Sequence, residues 1–139
     1  MHVSVNGVRL FFDVEGSKFV PDGPLMREKP TLLMLHGGPG SDHSIYRPAY
    51  SALSDIAQII YLDHRGNGRS EDGPRESWNL AQWGDDVRAF CEALGIVNPI
   101  VLGASFGGMH RGGSLEERID QRRVNRRRQS LIGLPALFG

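Results

Sequence analysis

The chain holds a single cysteine, Cys91, in 139 residues, which excludes an internal disulfide and any zinc site built from several cysteines. No apolar run is long enough to cross a membrane, and Met1-His2-Val3-Ser4-Val5-Asn6 lacks the basic start and apolar core of a secretion signal. A cytoplasmic protein without a membrane partner is therefore expected. There is no Gly-Lys-Ser or Gly-Lys-Thr for a phosphate loop, and Gly66-Asn67-Gly68 is followed by Arg69-Ser70 where a dinucleotide fingerprint needs a third glycine. Nor does any His or acidic spacing suggest metal ligands, so neither cofactor nor metal is expected.

Net charge is also lacking, with 16 basic and 16 acidic side chains, but the balance is uneven. Residues 1–109 carry nine basic and thirteen acidic groups, whereas residues 110–139 carry seven and three. Texture changes at the same place, from apolar strands and an amphipathic helix to an arginine-rich tail. The expected organisation is one partial domain over 1–109 and a tail over 110–139. The 40% hydrophobic content is enough for one core.

Residues 3–5 and 8–14, joined by Asn6-Gly7, predict an antiparallel hairpin. Residues 18–30, with three prolines and no period, read as a surface loop. Residues 31–35, 56–62 and 96–103 are apolar on both faces, as parallel strands covered by helices are. Between them, Tyr46, Ala49, Tyr50 and Leu53 recur at helical spacing, with Pro48 in the first turn and an end near Asp55. Leu80, Trp83, Val87, Phe90, Cys91 and Leu94 mark a second helix, capped by Asn79 with Gln82 reciprocating and ended by Gly95. Strand and helix alternate, which predicts an α/β fold with a parallel sheet.

Three glycine-rich stretches follow these strands: His36-Gly37-Gly38-Pro39-Gly40, then Asp63-His64-Arg65-Gly66-Asn67-Gly68-Arg69-Ser70, then Gly103-Ala104-Ser105-Phe106-Gly107. The last is Gly-x-Ser-x-Gly after an apolar strand, the pattern of a tight strand-to-helix turn that lifts a serine hydroxyl above a sheet. By position His36 reads as a residue that fixes its loop by hydrogen bonding, Asp63 and Arg65 as braces of their own turn, and Cys91 as a packed thiol. Trp78 and Trp83 either pack or line a pocket.

Together these motifs, in this order, resemble the α/β-hydrolases, nearest to the proline iminopeptidase branch, over residues 1–109. The resemblance implies the N-terminal part of an α/β-hydrolase fold with Ser105 as nucleophile. It further implies an oxyanion hole formed by the backbone N–H groups of Phe106 and Gly38, with Gly37 as the alternative to Gly38. The substrate would be a small peptide that loses its N-terminal residue. Phe106 stands where that branch commonly has tryptophan, which keeps small esters as an alternative substrate class.

The family order is serine, then acid, then histidine. After Ser105 the chain holds His110, Glu116, Glu117 and Asp120, and no histidine follows an acid. The expectation is a chain truncated or frame-shifted after Met109, inactive by itself because the serine lacks its base. In place of the family's apolar helix, Arg111-Gly112-Gly113-Ser114 is expected to lead to a new helix that Ser114 and Glu117 would cap. The competing expectation is a binding module in which Arg122, Arg123, Arg126, Arg127 and Arg128 form a basic arm for nucleic acid or an acidic partner. Against it, the arm has no interleaved aromatic residues.

Overall fold

The computed structural model describes residues 1–105. Phe106, His110, the boundary after Met109 and the arginine-rich tail lie outside the described residues. Eleven elements run in the order β1 (His2–Val5), β2 (Val8–Glu15), β3 (Phe19–Asp22), β4 (Leu25–Glu28), β5 (Thr31–Leu35), two 3₁₀ turns (His43–Tyr46 and Ser51–Asp55), β6 (Gln58–Leu62), a third 3₁₀ turn (Arg75–Ser77), α1 (Leu80–Ala93) and β7 (Ile100–Gly103).

Five strands form one mixed sheet in the order β1-β2-β6-β5-β7. The first hairpin is antiparallel, and β2 runs antiparallel to β6; β5 is parallel to both β6 and β7. Asn6 (φ 47°) and Gly7 (φ 78°) supply the two left-handed residues that the tight β1–β2 turn needs. The sheet, with β5 parallel to both its neighbours and α1 packed on one face, is of the α/β class that the alternation of strand and helix predicts.

Successive side chains of a strand point to opposite faces, and the core divides accordingly. Leu33, Leu35, Ile60 and Leu62 pack with Val87, Phe90 and Cys91 of α1 on one side. Leu32, Met34, Ile59 and Tyr61 pack with Tyr46 and Ala57 on the other. Two covered faces are why β5 and β6 have no polar alternation. Each such side chain contributes on the order of 1.5–3 kcal/mol by leaving water.

Helix α1 begins as expected: Asn79 Oδ1 accepts the Gln82 N–H at 3.0 Å. Gln82 does not reciprocate, because its Nε2 donates at 3.0 Å to Asp86, one turn along the helix. The helix ends at Gly95 (φ 65°), where the Gly95 and Ile96 N–H groups return to the Glu92 and Cys91 carbonyls. Trp83, Val87, Phe90 and Cys91 of the expected apolar stripe are buried, whereas Leu80 and Leu94 at its ends are exposed.

Two expectations about whole segments fail. Residues 18–30 are a hairpin, β3–β4, rather than a loop; Gly23 (φ 61°) turns the chain and Asp22 pairs with Leu25. Its prolines are tolerated because a two-stranded ribbon has an unpaired side on each strand. The helix read over residues 46–55 is two short 3₁₀ turns. Pro48 has no N–H to donate, and Arg47 before it is extended (φ −99°, ψ 143°), which breaks the helical path. Arg47 leaves that path to donate to Asp13 at 2.7 Å on β2, its guanidinium lying 4.4 Å over the Tyr61 ring.

Candidate active site

The parallel register brings the three motifs to one level. Leu35, the last residue of β5, pairs with Leu62 of β6 on one side and with Gly103 of β7 on the other. The chain therefore leaves all three strands in one row, at His36, Asp63 and Ala104. Carboxyl ends of parallel strands are where α/β sheets bind ligands.

At the end of β7, Ser105 is exposed and takes a left-handed backbone conformation, φ 52°. A side-chain-bearing residue seldom adopts this conformation, and a tight turn is what requires it here. The turn rests on β5 through the Ala104 N–H, which donates to the Leu35 carbonyl at 3.2 Å. Tyr46, buried under the loops, donates its hydroxyl to the same carbonyl at 2.7 Å. Burial raises the pKa of that phenol, so it stays a protonated donor.

The glycine loop after β5 lies against this turn. A Cβ on Gly37 would sit 2.9 Å from the Ala104 carbonyl oxygen and 3.0 Å from Ser105 Cβ, so only glycine allows the approach. Gly38 has φ 130°, again a glycine conformation. Of the two candidate oxyanion residues, Gly37 packs against the Ser105 turn and Gly38 is the next residue along the loop. Phe106, the other expected donor, lies outside the described residues.

His36 is fully buried and bridges the two loops. Its Nε2 accepts the His64 N–H at 3.0 Å, which leaves the proton on Nδ1, 2.6 Å from the Gly37 carbonyl oxygen. Burial pushes its pKa below the usual 6.5, against the opposing pull of the Gly37 carbonyl and Asp63. A neutral imidazole with both nitrogens engaged fixes the loop, as its position suggested.

Asp63 ties its own turn and the segment after the glycine loop. Its carboxylate accepts the Arg69 N–H at 3.0 Å, and the His43 N–H and ring Nδ1 at 2.8 Å each. Arg65 departs from expectation. Its side chain leaves the turn to form a two-point pair with Asp86 of α1 at 2.8 and 2.9 Å, and also bonds Ser77 and the Asn6 carbonyl. Both partners are almost wholly buried, so such a pair is satisfied only by full hydrogen bonding, and Asn6 and Gln82 complete the Asp86 shell.

Trp83 packs in the core with its Nε1 donating to the Arg65 carbonyl, while Trp78 lies against Gly66, where a Cβ would strike its ring. The Cys91 thiol is buried and its pKa is pushed up to about 12 by burial, which suits packing. Two participants escaped the sequence reading. The Tyr46 hydroxyl was hidden in an apolar stripe, and Asn67 was hidden in a glycine turn whose side-chain partner lies 27 residues away. Among the described residues no group of three or more His, Cys, Asp or Glu side chains could hold a metal ion, and no helix is long and apolar enough to cross a membrane.

Comparison with known proteins agrees with this geometry. Residues 30–110 match the family model for the alpha/beta hydrolase fold. The proline iminopeptidase of Lactobacillus helveticus (strain DPC 4571) is 37% identical over 89 residues, 59% of this chain and 29% of that enzyme. The chain thus spans under a third of that relative's length. Among solved structures, the proline iminopeptidase-related protein of Thermus thermophilus superposes with a TM-score of 0.67 at 27% identity, covering 79% of this chain and 37% of that one. The enol-lactonase of Burkholderia xenovorans LB400 does so with a TM-score of 0.66 at 26% identity, covering 79% and 39%. With the family match running over more than half of its residues and the three strand-end motifs in one row, this chain belongs to the alpha/beta hydrolase fold family.

Proposed function

We propose that these residues form the nucleophile and oxyanion half of a serine hydrolase. The observation that carries the reading is Ser105, held at φ 52° at the carboxyl end of β7 with Gly37 in contact beside it. In this reading Ser105 Oγ attacks a substrate carbonyl carbon and its proton passes to a base. The Gly38 and Phe106 N–H groups stabilise the oxyanion, the leaving group departs, and water releases the acyl group from the serine. The proline iminopeptidase relatives favour release of an N-terminal residue from a peptide, and the lactonase neighbour supports the ester alternative.

Ser105 needs a base, and no histidine follows an acid after it in these 139 residues. We read the 139-residue chain as silent unless a base is supplied from outside. A fluorophosphonate probe with intact-mass detection tests both parts. No adduct is expected from the chain alone, and slow labelling of Ser105, lost in Ser105→Ala, is expected when imidazole is added as an external base. Labelling without imidazole would overturn the silent state. No labelling under either condition would overturn the nucleophile assignment.

A further inference from the structure

Resting on the reading of residues 36–40 as the oxyanion loop, we propose that Asn67 is a positioning residue that clamps this loop to the protein core. Its buried amide spans two backbones: Oδ1 accepts the Gly40 N–H at 2.7 Å, and Nδ2 donates to the Arg65 carbonyl at 2.9 Å. One end faces a donor and the other an acceptor, so the orientation of the amide is determined by its partners.

The anchor side of the clamp is rigid. The Arg65 carbonyl also receives Trp83 Nε1 at 3.0 Å, and the Arg65 side chain is held by Asp86 of α1. The loop side has little structure of its own. Among the described residues, the hydrogen bonds of the backbone at 37–40 go to side chains, Gly37 O with His36 Nδ1 and Gly40 N–H with Asn67 Oδ1. No internal ladder sets the path of Gly38, which lies between these two ties with φ 130°.

Two simpler reasons for an asparagine here fail. Asparagine is favoured where φ is positive, but the left-handed turns are carried by Gly66 (φ 73°) and Gly68 (φ 55°), and Asn67 between them is not left-handed. Nor does Gly40 need Asn67 to avoid a stranded donor, because Gly40 is exposed and water could take its N–H. What remains is the geometry of the loop. Gly37 packs on the Ser105 turn at one end and Gly40 is pinned by Asn67 at the other, so the Gly38 N–H between them is held in one place relative to Ser105.

The test uses the full 139-residue chain, isotope-labelled, with amide hydrogen exchange read at Gly40 and at strand residues such as Leu33. In Asn67→Ala, Gly40 exchange should rise about tenfold or more while Leu33 stays protected. Asn67→Asp keeps an oxygen acceptor for Gly40 but has no donor for the Arg65 carbonyl and turns an oxygen towards it, so the clamp loses its anchor and Gly40 should again exchange faster. With imidazole present, fluorophosphonate labelling of Ser105 should slow about tenfold in both variants. Unchanged Gly40 exchange in a folded Asn67→Ala overturns the proposal. Should Asn67→Ala fail to fold, Asn67→Asp decides alone: faster Gly40 exchange with Leu33 still protected supports the clamp, and unchanged Gly40 exchange overturns it. Absence of any label in the unaltered chain counts against the hydrolase reading only, since Gly40 exchange is measured without chemistry at Ser105.

Discussion

The turn at residues 63–70 and the hairpin at residues 19–28 each follow a strand of the main sheet, both turn on left-handed glycines and both carry charged side chains, yet they sit in opposite environments. In the turn, Asp63, His64, Arg65, Asn67 and Ser70 are buried, and their polar groups reach β2, the glycine loop, α1 and the first hairpin. In the hairpin every residue of β4 is exposed, Leu25 is 72% exposed, and the Arg27–Asp22 pair at 3.7 Å lies in solvent. The difference teaches that polar character does not mark a loop as peripheral. Polar side chains that leave a sheet at one level can form a second, hydrogen-bonded core above the apolar one.

Charge deletion should separate the two regions most. Asp86→Ala leaves the buried Arg65 guanidinium without its carboxylate and should cost about 3–5 kcal/mol in urea denaturation. Asp22→Ala removes an exposed partner and should cost under about 1 kcal/mol. Equal costs would mean that the buried network does not hold the fold.

Glycine replacement comes next. Gly68→Ala and Gly23→Ala impose the same left-handed penalty, about 1 kcal/mol, since φ is 55° and 61°. A Cβ at Gly68 would also overlap the Asp63 carboxylate, whereas at Gly23 it meets nothing within 4 Å. Gly68→Ala should therefore cost about 1–3 kcal/mol more, read as a shift in thermal midpoint.

Acid should reach the turn before the hairpin. The folded pKa of His36 lies below its unfolded value of 6.5, so the unfolded chain binds more protons between the two. This contribution to stability is complete above pH 6.5 and declines as pH falls below it towards the folded pKa. Denaturation midpoints from about pH 8 to about pH 5 should fall, and less so in a folded His36→Gln variant; an identical decline in both would remove His36 as the cause.

The smallest effect concerns Cys91, which lies on α1 in the apolar core. With its pKa near 12 and its sulfur buried, iodoacetamide at about pH 8 should modify it only as fast as the chain opens. Rapid alkylation of the native chain would place Cys91 at a loosely packed face.

The sequence made much of the fold legible because the relevant signals are local. Asn6-Gly7 specified a hairpin, two-sided apolar runs specified covered strands, and Asn79 and Gly95 bounded α1. Local signals also misled where one residue altered the path: Pro48 sits at helical spacing but breaks the helix, and the prolines of 18–30 concealed a ribbon. Ser105, Gly37 and Gly38 could be named from motifs, since a tight turn and a close backbone approach require small residues in fixed order.

By itself, then, the sequence determined which segments extend, which turn, and which residues could carry chemistry, because these depend on neighbours a few positions away. Only the tertiary structure decided the partners: Arg65 with Asp86, Asn67 with Gly40, Asn6 with Asp86 across 80 residues. Those pairs depend on the register that aligns Leu35 with Leu62 and Gly103. A shift of one residue in β5, β6 or β7 would exchange the side chains that enter the two cores and carry the strand-end motifs out of line with one another.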